Sequence, residues 1–85
     1  MNIGFVSTWY ERGAAYVTKQ YIELLKYRHE VFVYARGGLY PKDDPVWNQP
    51  YVTWGKITAE RMLIDWNDFN RWVKKNKVDV IFFNC

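Results

Sequence analysis

The sequence has very little cysteine and histidine, with one of each, Cys85 and His29. A single cysteine cannot form an internal disulfide, and one cysteine with one histidine cannot supply the clusters that structural zinc sites need. These shortages exclude the small disulfide-stapled class of domain and favour a reducing compartment. We therefore expect a soluble, cytoplasmic protein that needs no metal and no cofactor.

Long apolar runs and a strong net charge are missing as well. No stretch reaches the roughly 20 apolar residues of a membrane span, and no basic segment precedes the apolar N-terminus as in a cleavable signal. The net charge is only +3, from 12 basic and 9 acidic residues. Such a small, dispersed excess argues against a nucleic-acid partner. At most we expect peripheral contact with a membrane.

The motifs of the common nucleotide-binding and catalytic sites are also absent. A dinucleotide fold needs G-x-G-x-x-G after its first strand, but only Gly13 is present there, and Arg36 stands where a ribose-binding acid would follow the second strand. No Walker motif occurs. His29 lies at a turn far from any nucleophile in the pattern, so we assign no catalytic residue.

What the sequence does contain is an alternation of strand and helix patterns. Residues 2–7 lack the polar alternation of a half-exposed strand, which is typical of a parallel strand covered on both faces. After a turn, residues 14–28 follow a helical pattern with an apolar face at Ala14, Val17, Tyr21, Leu24 and Leu25. Residues 31–35 predict a second strand.

The second half repeats this alternation after a loop at 39–50 that holds all three prolines. Residues 51–54 predict a short third strand, and Thr58 could cap one helical turn. Asp65 is the expected N-cap of a second helix, with Asp68 completing a carboxylate form of the capping box. Residues 78–83 predict a fourth strand. The buried face of the second helix is predicted to be Trp66, Phe69, Trp72 and Val73.

The resulting β-α-β-β-α-β order predicts an α/β fold. With right-handed crossovers it gives a Rossmann-like open parallel sheet with strand order 3-2-1-4 and helices on both faces. The order reverses between strands one and four, and ligands of open α/β sheets bind in the crevice at the carboxyl ends of such strands. Residues 8–13 and Asn84 would border that crevice.

The residues around the crevice form the predicted binding site. Gly13 permits close approach of a ligand, and the N–H group of Ala14 is an unpaired donor at the start of a helix. Arg12 adds charge, and Trp9 could stack on a sugar ring. On the residues alone, an ordinary strand-to-helix turn explains the pattern equally well. The predicted substrate-binding residues are Thr8, Trp9, Arg12, Gly13, Ala14 and Asn84.

Four stretches, residues 3–8, 13–17 with Leu24 and Leu25, 29–33 and 78–84, together resemble the N-terminal domain of GT-B fold glycosyltransferases. The resemblance is greatest to the retaining glycosyltransferase family 4 type, in which a glycine-containing loop after strand one faces the interdomain cleft. It implies that residues 1–85 are an acceptor-side half-domain of an enzyme that transfers a sugar from a nucleotide-sugar donor. The donor would be held mainly by a C-terminal domain, so this chain alone is expected to be inactive.

The predicted fourth strand leaves its outer edge without a partner in the sequence, and open edges promote association. Two interpretations follow. The chain is a fragment of the glycosyltransferase, which we favour, or it is a self-standing Rossmann-like binding module that dimerises through its last strand.

Overall fold

A computed structural model describes residues 1–9, 13–36, 43–56 and 64–84 of the chain. Its elements follow the predicted β-α-β-β-α-β order. The helical turn expected at Thr58 lies outside the described residues. The elements are β1 (Asn2–Thr8), α1 (Gly13–Leu25), β2 (Glu30–Arg36), β3 (Val52–Trp54), α2 (Trp66–Asn76) and β4 (Val80–Asn84).

The described strands form an all-parallel sheet in the order β3-β2-β1-β4. The predicted α/β class and strand order 3-2-1-4 are therefore confirmed. β1 is a central strand, in which Ile3 lies opposite Val31 of β2 on one side and Val80 of β4 on the other. Its apolar residues are buried on both faces, as expected of a covered parallel strand.

The face of α1 that packs on the sheet differs from the predicted one by one position. Ala15 and Ile22 are fully buried against strand residues such as Phe5 and Val33. Thr18 is buried with them, and its hydroxyl donates a 3.4 Å hydrogen bond to Ser7 Oγ. Leu25 packs on the core as predicted, but the rest of the described part of the predicted face was wrong, because two apolar stripes run side by side on this helix and the buried one contains a threonine. Three residues of the predicted face are instead exposed: Val17, Tyr21 and Leu24.

The other face of the sheet is covered by α2. Phe69 and Trp72 are buried against Val6 of β1 and Tyr34 of β2, as predicted. Trp66 was predicted to join them, but it is 59% exposed because it occupies the first position of the helix. Its ring only touches the edge of Phe69, at a centroid distance of 5.4 Å.

The N-terminus of α2 is capped by Asp65, as predicted. Its carboxylate accepts hydrogen bonds from the N–H groups of Asn67 and Asp68, both at 3.1 Å. The capping-box role predicted for Asp68 is wrong, since its carboxylate turns toward the sheet. There its Oδ2 accepts hydrogen bonds from the hydroxyl of Tyr34 at 2.5 Å and the N–H of Lys56 at 3.0 Å.

The described part of the predicted loop, residues 43–50, contributes to the core. Trp47 is buried and packs edge to face with Trp9, with ring centroids 5.5 Å apart. The Nε1–H of Trp9 donates a 2.6 Å hydrogen bond to the carbonyl of Trp47. This pair fixes the segment against the end of β1, which the position of Trp47 in a proline-containing stretch did not reveal.

Candidate functional site

The candidate site is the crevice where the strand order reverses, at the carboxyl ends of β1 and β4. Ser7 of β1 lies opposite Asn84, the last residue of β4, while Thr8 lies opposite Arg36, the last residue of β2. Thr8, Arg36 and Asn84 therefore end three neighbouring strands at one edge of the sheet. Ligands of open parallel sheets bind at this kind of edge.

The start of α1 follows the end of β1 within a few residues. Gly13 and Ala14 are its first two residues, and their backbone N–H groups have no acceptor within the helix itself. The first turn of α1 carries no acidic side chain. In contrast, α2 has Asp65 as its cap and Asp68 in its first turn. Of the two helices, α1 is therefore the one whose positive N-terminal end has no carboxylate in the first turn to compete with an anionic or hydroxyl ligand.

Two of the predicted binding residues stand apart from the rest. Arg12 lies outside the described residues. Trp9 is 0% exposed, with its ring against Trp47 and its Nε1–H bonded to the Trp47 carbonyl. The prediction that Trp9 stacks on a ligand ring is therefore corrected: a ring with no exposed face belongs to the core, where it packs on Trp47.

Arg36 is a candidate that sequence reasoning noted only as the absence of a ribose-binding acid. The strand pairing places it beside Thr8 at the crevice edge, and its side chain is half-buried there. A guanidinium at this position suits an anionic or polyhydroxyl ligand, because it offers several fixed hydrogen-bond donors. The sequence could have indicated Arg36 by its position at the end of the predicted second strand, because the last residue of a central parallel strand lies at the ligand-binding edge.

Exposed aromatic rings lie on the α2 side of the same sheet edge. Phe83 precedes Asn84 in β4 and is 59% exposed, with its ring centroid 6.2 Å from that of Phe69. Trp66, at the start of α2, contacts the same Phe69 ring. Aromatic faces of this kind are available to pack on the apolar face of a sugar ring.

On the α2 side of this edge, Asp68 accepts hydrogen bonds from Tyr34, from the Lys56 N–H and from Arg71. Burial raises the pKa of the Asp68 carboxyl, but the hydrogen bonds from Tyr34, from the Lys56 N–H and from Arg71 outweigh it and hold that pKa below its usual 3.8. Burial, together with the hydrogen bond to Asp68, raises the pKa of Tyr34 far above its ordinary value. Tyr34 therefore remains a protonated donor at neutral pH, and the pair has a structural role.

An open apolar groove runs along β4 on the α1 face of the sheet. Its volume is about 470 Å³, and its lining includes Phe5, Val17, Tyr21, Leu25 and Phe82. The lining is mainly apolar, with Thr18 and the Tyr21 side chain as its polar members and no charged residue, so the groove lacks the convergent polar groups that orient a small polar substrate. It is a surface distinct from the crevice.

The described ranges contain neither a cluster of metal ligands nor a membrane-spanning helix. Within them, no three His, Cys, Asp or Glu residues come close enough to hold a metal ion. None of the helices in the same ranges has the length and hydropathy to cross a bilayer.

The chain was compared with protein-family models, with curated proteins and with solved structures, and none of these comparisons found a match. Evidence on function therefore comes from the residues and their arrangement.

Proposed function

We propose that this chain provides the acceptor-binding surface of a retaining glycosyltransferase that uses a nucleotide-sugar donor. In this proposal the acceptor saccharide binds in the crevice at the carboxyl ends of β1 and β4. The donor is held by groups outside residues 1–85, so the chain binds the acceptor without transferring sugar to it. The proposal joins the resemblance of four sequence stretches to GT-B enzymes with the open parallel sheet that such an enzyme requires.

The start of α1 is the observation that carries the proposal. Gly13 and Ala14 present backbone N–H groups at the point where the sheet order reverses, and no carboxylate in the first turn competes for them. Hydroxyl and anionic oxygens are the natural acceptors for such donors. The absence of a side chain on Gly13 permits a ligand to approach the backbone closely.

Other groups at the same edge of the sheet fit a saccharide. Arg36 and Thr8 end adjacent strands on one side. Phe83 and Trp66 expose aromatic surface on the α2 side of the edge. The hydroxyls of a sugar ring can bond to the strand ends at Arg36 and Thr8, and its apolar face can pack on the rings of Phe83 and Trp66. A dinucleotide would need the glycine-rich turn that the sequence lacks.

An NMR titration of the ¹⁵N-labelled chain tests the proposal. Separate samples receive neutral disaccharides, sugar phosphates and a nucleoside diphosphate. We expect a saccharide or sugar phosphate to give saturable shifts at the amides of Thr8, Ala14, Arg36 and Asn84. No saturable shift with any saccharide, or shifts confined to the nucleoside diphosphate sample, would contradict an acceptor site.

A further inference from the structure

Trp47 lies where the segment of residues 43–50 meets the two elements that border the crevice. Its ring packs against the edge of Trp9, the residue that follows β1, at a centroid distance of 5.5 Å. It also packs against the edge of Tyr16, the fourth residue of α1, at a centroid distance of 5.5 Å. Trp47 itself is buried. A single buried ring therefore contacts both the end of β1 and the first turn of α1.

Polar contacts hold Trp47 from the same two sides. On the β1 side, its carbonyl accepts the 2.6 Å hydrogen bond from the indole N–H of Trp9. On the α1 side, the ammonium of Lys19 lies 4.5 Å from the centroid of the Trp47 ring, where a cation is attracted to the aromatic face. The same ammonium donates a 3.4 Å hydrogen bond to the carbonyl of Val46. Each element thus contacts the segment through a ring and through a polar group.

Hydrogen bonds that do not involve α1 fix the shape of the segment. The carboxylate of Asp44 accepts a 2.9 Å hydrogen bond from the N–H of Val46. The carbonyl of Asp44 accepts hydrogen bonds from the N–H groups of Trp47 at 3.0 Å and Asn48 at 2.8 Å. The indole N–H of Trp54 in β3 donates a 3.0 Å hydrogen bond to Oδ1 of Asn48. Trp47 is therefore presented to α1 from a turn that is bonded to the sheet.

The start of α1 has little local structure to fix it. In α2 the carboxylate of Asp65 accepts hydrogen bonds from the first turn, whereas the first turn of α1 carries no acidic side chain. The first residue of α1 is Gly13, and glycine has more backbone freedom than any other residue. Because short helices owe most of their stability to tertiary packing, the orientation of this helix start depends on contacts such as those of Trp47.

We infer that Trp47 is a positioning residue of the proposed acceptor site. It fixes the Gly13 and Ala14 N–H groups relative to the end of β1, and it acts through Trp9 and Tyr16, without touching the saccharide. Donors that are held in place before binding lose less conformational entropy when a ligand binds. The inference rests on the proposed function for the identity of the ligand, whereas the effect of Trp47 on the helix start is measurable in the free chain.

Backbone ¹⁵N relaxation of the free chain tests the positioning. Tyr16→Ala removes one of the two ring contacts of Trp47 from a partly exposed position, so the variant should remain folded. We expect the order parameters of the Gly13 and Ala14 amides to fall from about 0.85 toward about 0.6, while those of α2 stay unchanged. Tyr21→Ala, the same substitution at another exposed position of α1, is the matched control and should leave all of them unchanged. Order parameters at Gly13 and Ala14 that are equal in the two variants would overturn the inference.

Saccharide affinity then tests whether this positioning serves the site. The probe is the neutral disaccharide or sugar phosphate that gives saturable shifts in the NMR titration. Its dissociation constant should rise about three- to tenfold in Tyr16→Ala and in Trp47→Leu. Trp47→Phe keeps an aromatic ring between Trp9 and Tyr16, so it should restore the constant to within about twofold of that of the unsubstituted chain. Circular dichroism shows whether each variant is folded.

The two measurements distinguish failure of the inference from failure of the proposed function. If the unsubstituted chain binds no saccharide, the proposed function is wrong, and the order parameters alone decide whether Trp47 positions the helix start. If the chain binds a saccharide and folded Tyr16→Ala binds it equally tightly, the acceptor site stands and the positioning role of Trp47 is wrong.

Discussion

The hydroxyl of Tyr34 donates a 2.5 Å hydrogen bond to Oδ2 of Asp68 and thereby joins the buried strand β2 to the first turn of α2. Tyr34 is 1% exposed, and its ring contacts both Phe69 and Trp72. One residue therefore supplies apolar contact along α2 and a polar contact at its start. This relationship positions α2 on the sheet and, with it, the Trp66 ring at the start of that helix.

Removing the hydroxyl should destabilise the fold while the ring contacts remain. Tyr34→Phe is expected to lower the free energy of unfolding by about 1.5–3 kcal/mol, because the lost hydrogen bond is to a charged group. Urea denaturation measures the loss. Tyr27→Phe, at an exposed tyrosine, is the control and should change the value by less than about 0.5 kcal/mol. Equal effects of the two substitutions would show that the Tyr34–Asp68 bond does not stabilise the fold.

Stability should fall in acid partly through Asp68. Its pKa is lowered in the folded state relative to the ordinary 3.8, so its contribution is present above that value and is lost as the pH falls through the folded pKa. Asp68→Asn should therefore lower the stability near pH 7 and weaken the decline below about pH 4. Thermal melts from pH 2 to pH 7 measure both. An unchanged slope in acid would assign the pH dependence to other carboxylates.

A side chain at Gly4 should be tolerated poorly. A Cβ there would lie 2.7 Å from Cη2 of Trp72 and 2.9 Å from Cγ1 of Val78. Gly4→Ala is therefore expected to cost about 1–3 kcal/mol through overpacking. The double substitution Gly4→Ala with Trp72→Phe should cost less than the sum of the single changes, because the smaller ring makes room. Strict additivity in denaturant titrations would show that the two sites do not contact each other.

The inner face of α2 should depend on Phe69 and not on Trp66. Phe69→Ala removes a buried ring and should cost about 3–5 kcal/mol, whereas Trp66→Ala removes an exposed one and should cost less than about 1 kcal/mol. Both values come from chemical denaturation. A loss below about 1 kcal/mol for Phe69→Ala would mean that α2 does not pack on the sheet in this way.

The fold could be predicted because the strand patterns depend on local apolar runs and because crossover handedness restricts their order. Residues whose role depends on contacts far along the chain could not. Trp47 is buried because the rings of Trp9 and Tyr16, both distant in the sequence, pack against it. The buried stripe of α1 contains Thr18, whose hydroxyl donates a hydrogen bond to Ser7. A polar residue at that spacing predicts an exposed position, so the sequence pattern does not identify this stripe as buried.

In the candidate site, the backbone positions could likewise be predicted from the sequence, whereas the side-chain positions could not. Backbone positions such as Gly13 and Asn84 follow from where a strand ends and a helix begins, so the pattern locates them. Side chains depend on packing, and Trp9 faces the core although its position next to the crevice suggested a ligand contact. Arg36 reaches the crevice edge only through the pairing of β2 with β1.

In the proposed acceptor site a saccharide approaches the backbone at the start of α1, and the affinity of Gly13→Val tests this approach most directly. A β-branched side chain at this position obstructs the approach, so we expect the dissociation constant of the saccharide found by NMR to rise at least about tenfold. Arg12→Ala should have a milder effect through lost charge, and Thr53→Val on β3 should have none. In a complete enzyme containing this chain, Gly13→Val should likewise reduce sugar transfer. Thermal stability is measured for every variant, so that loss of binding is read only from folded protein. If folded Gly13→Val binds the saccharide as tightly as the unsubstituted chain, the start of α1 is only a turn, and the proposed acceptor site is wrong.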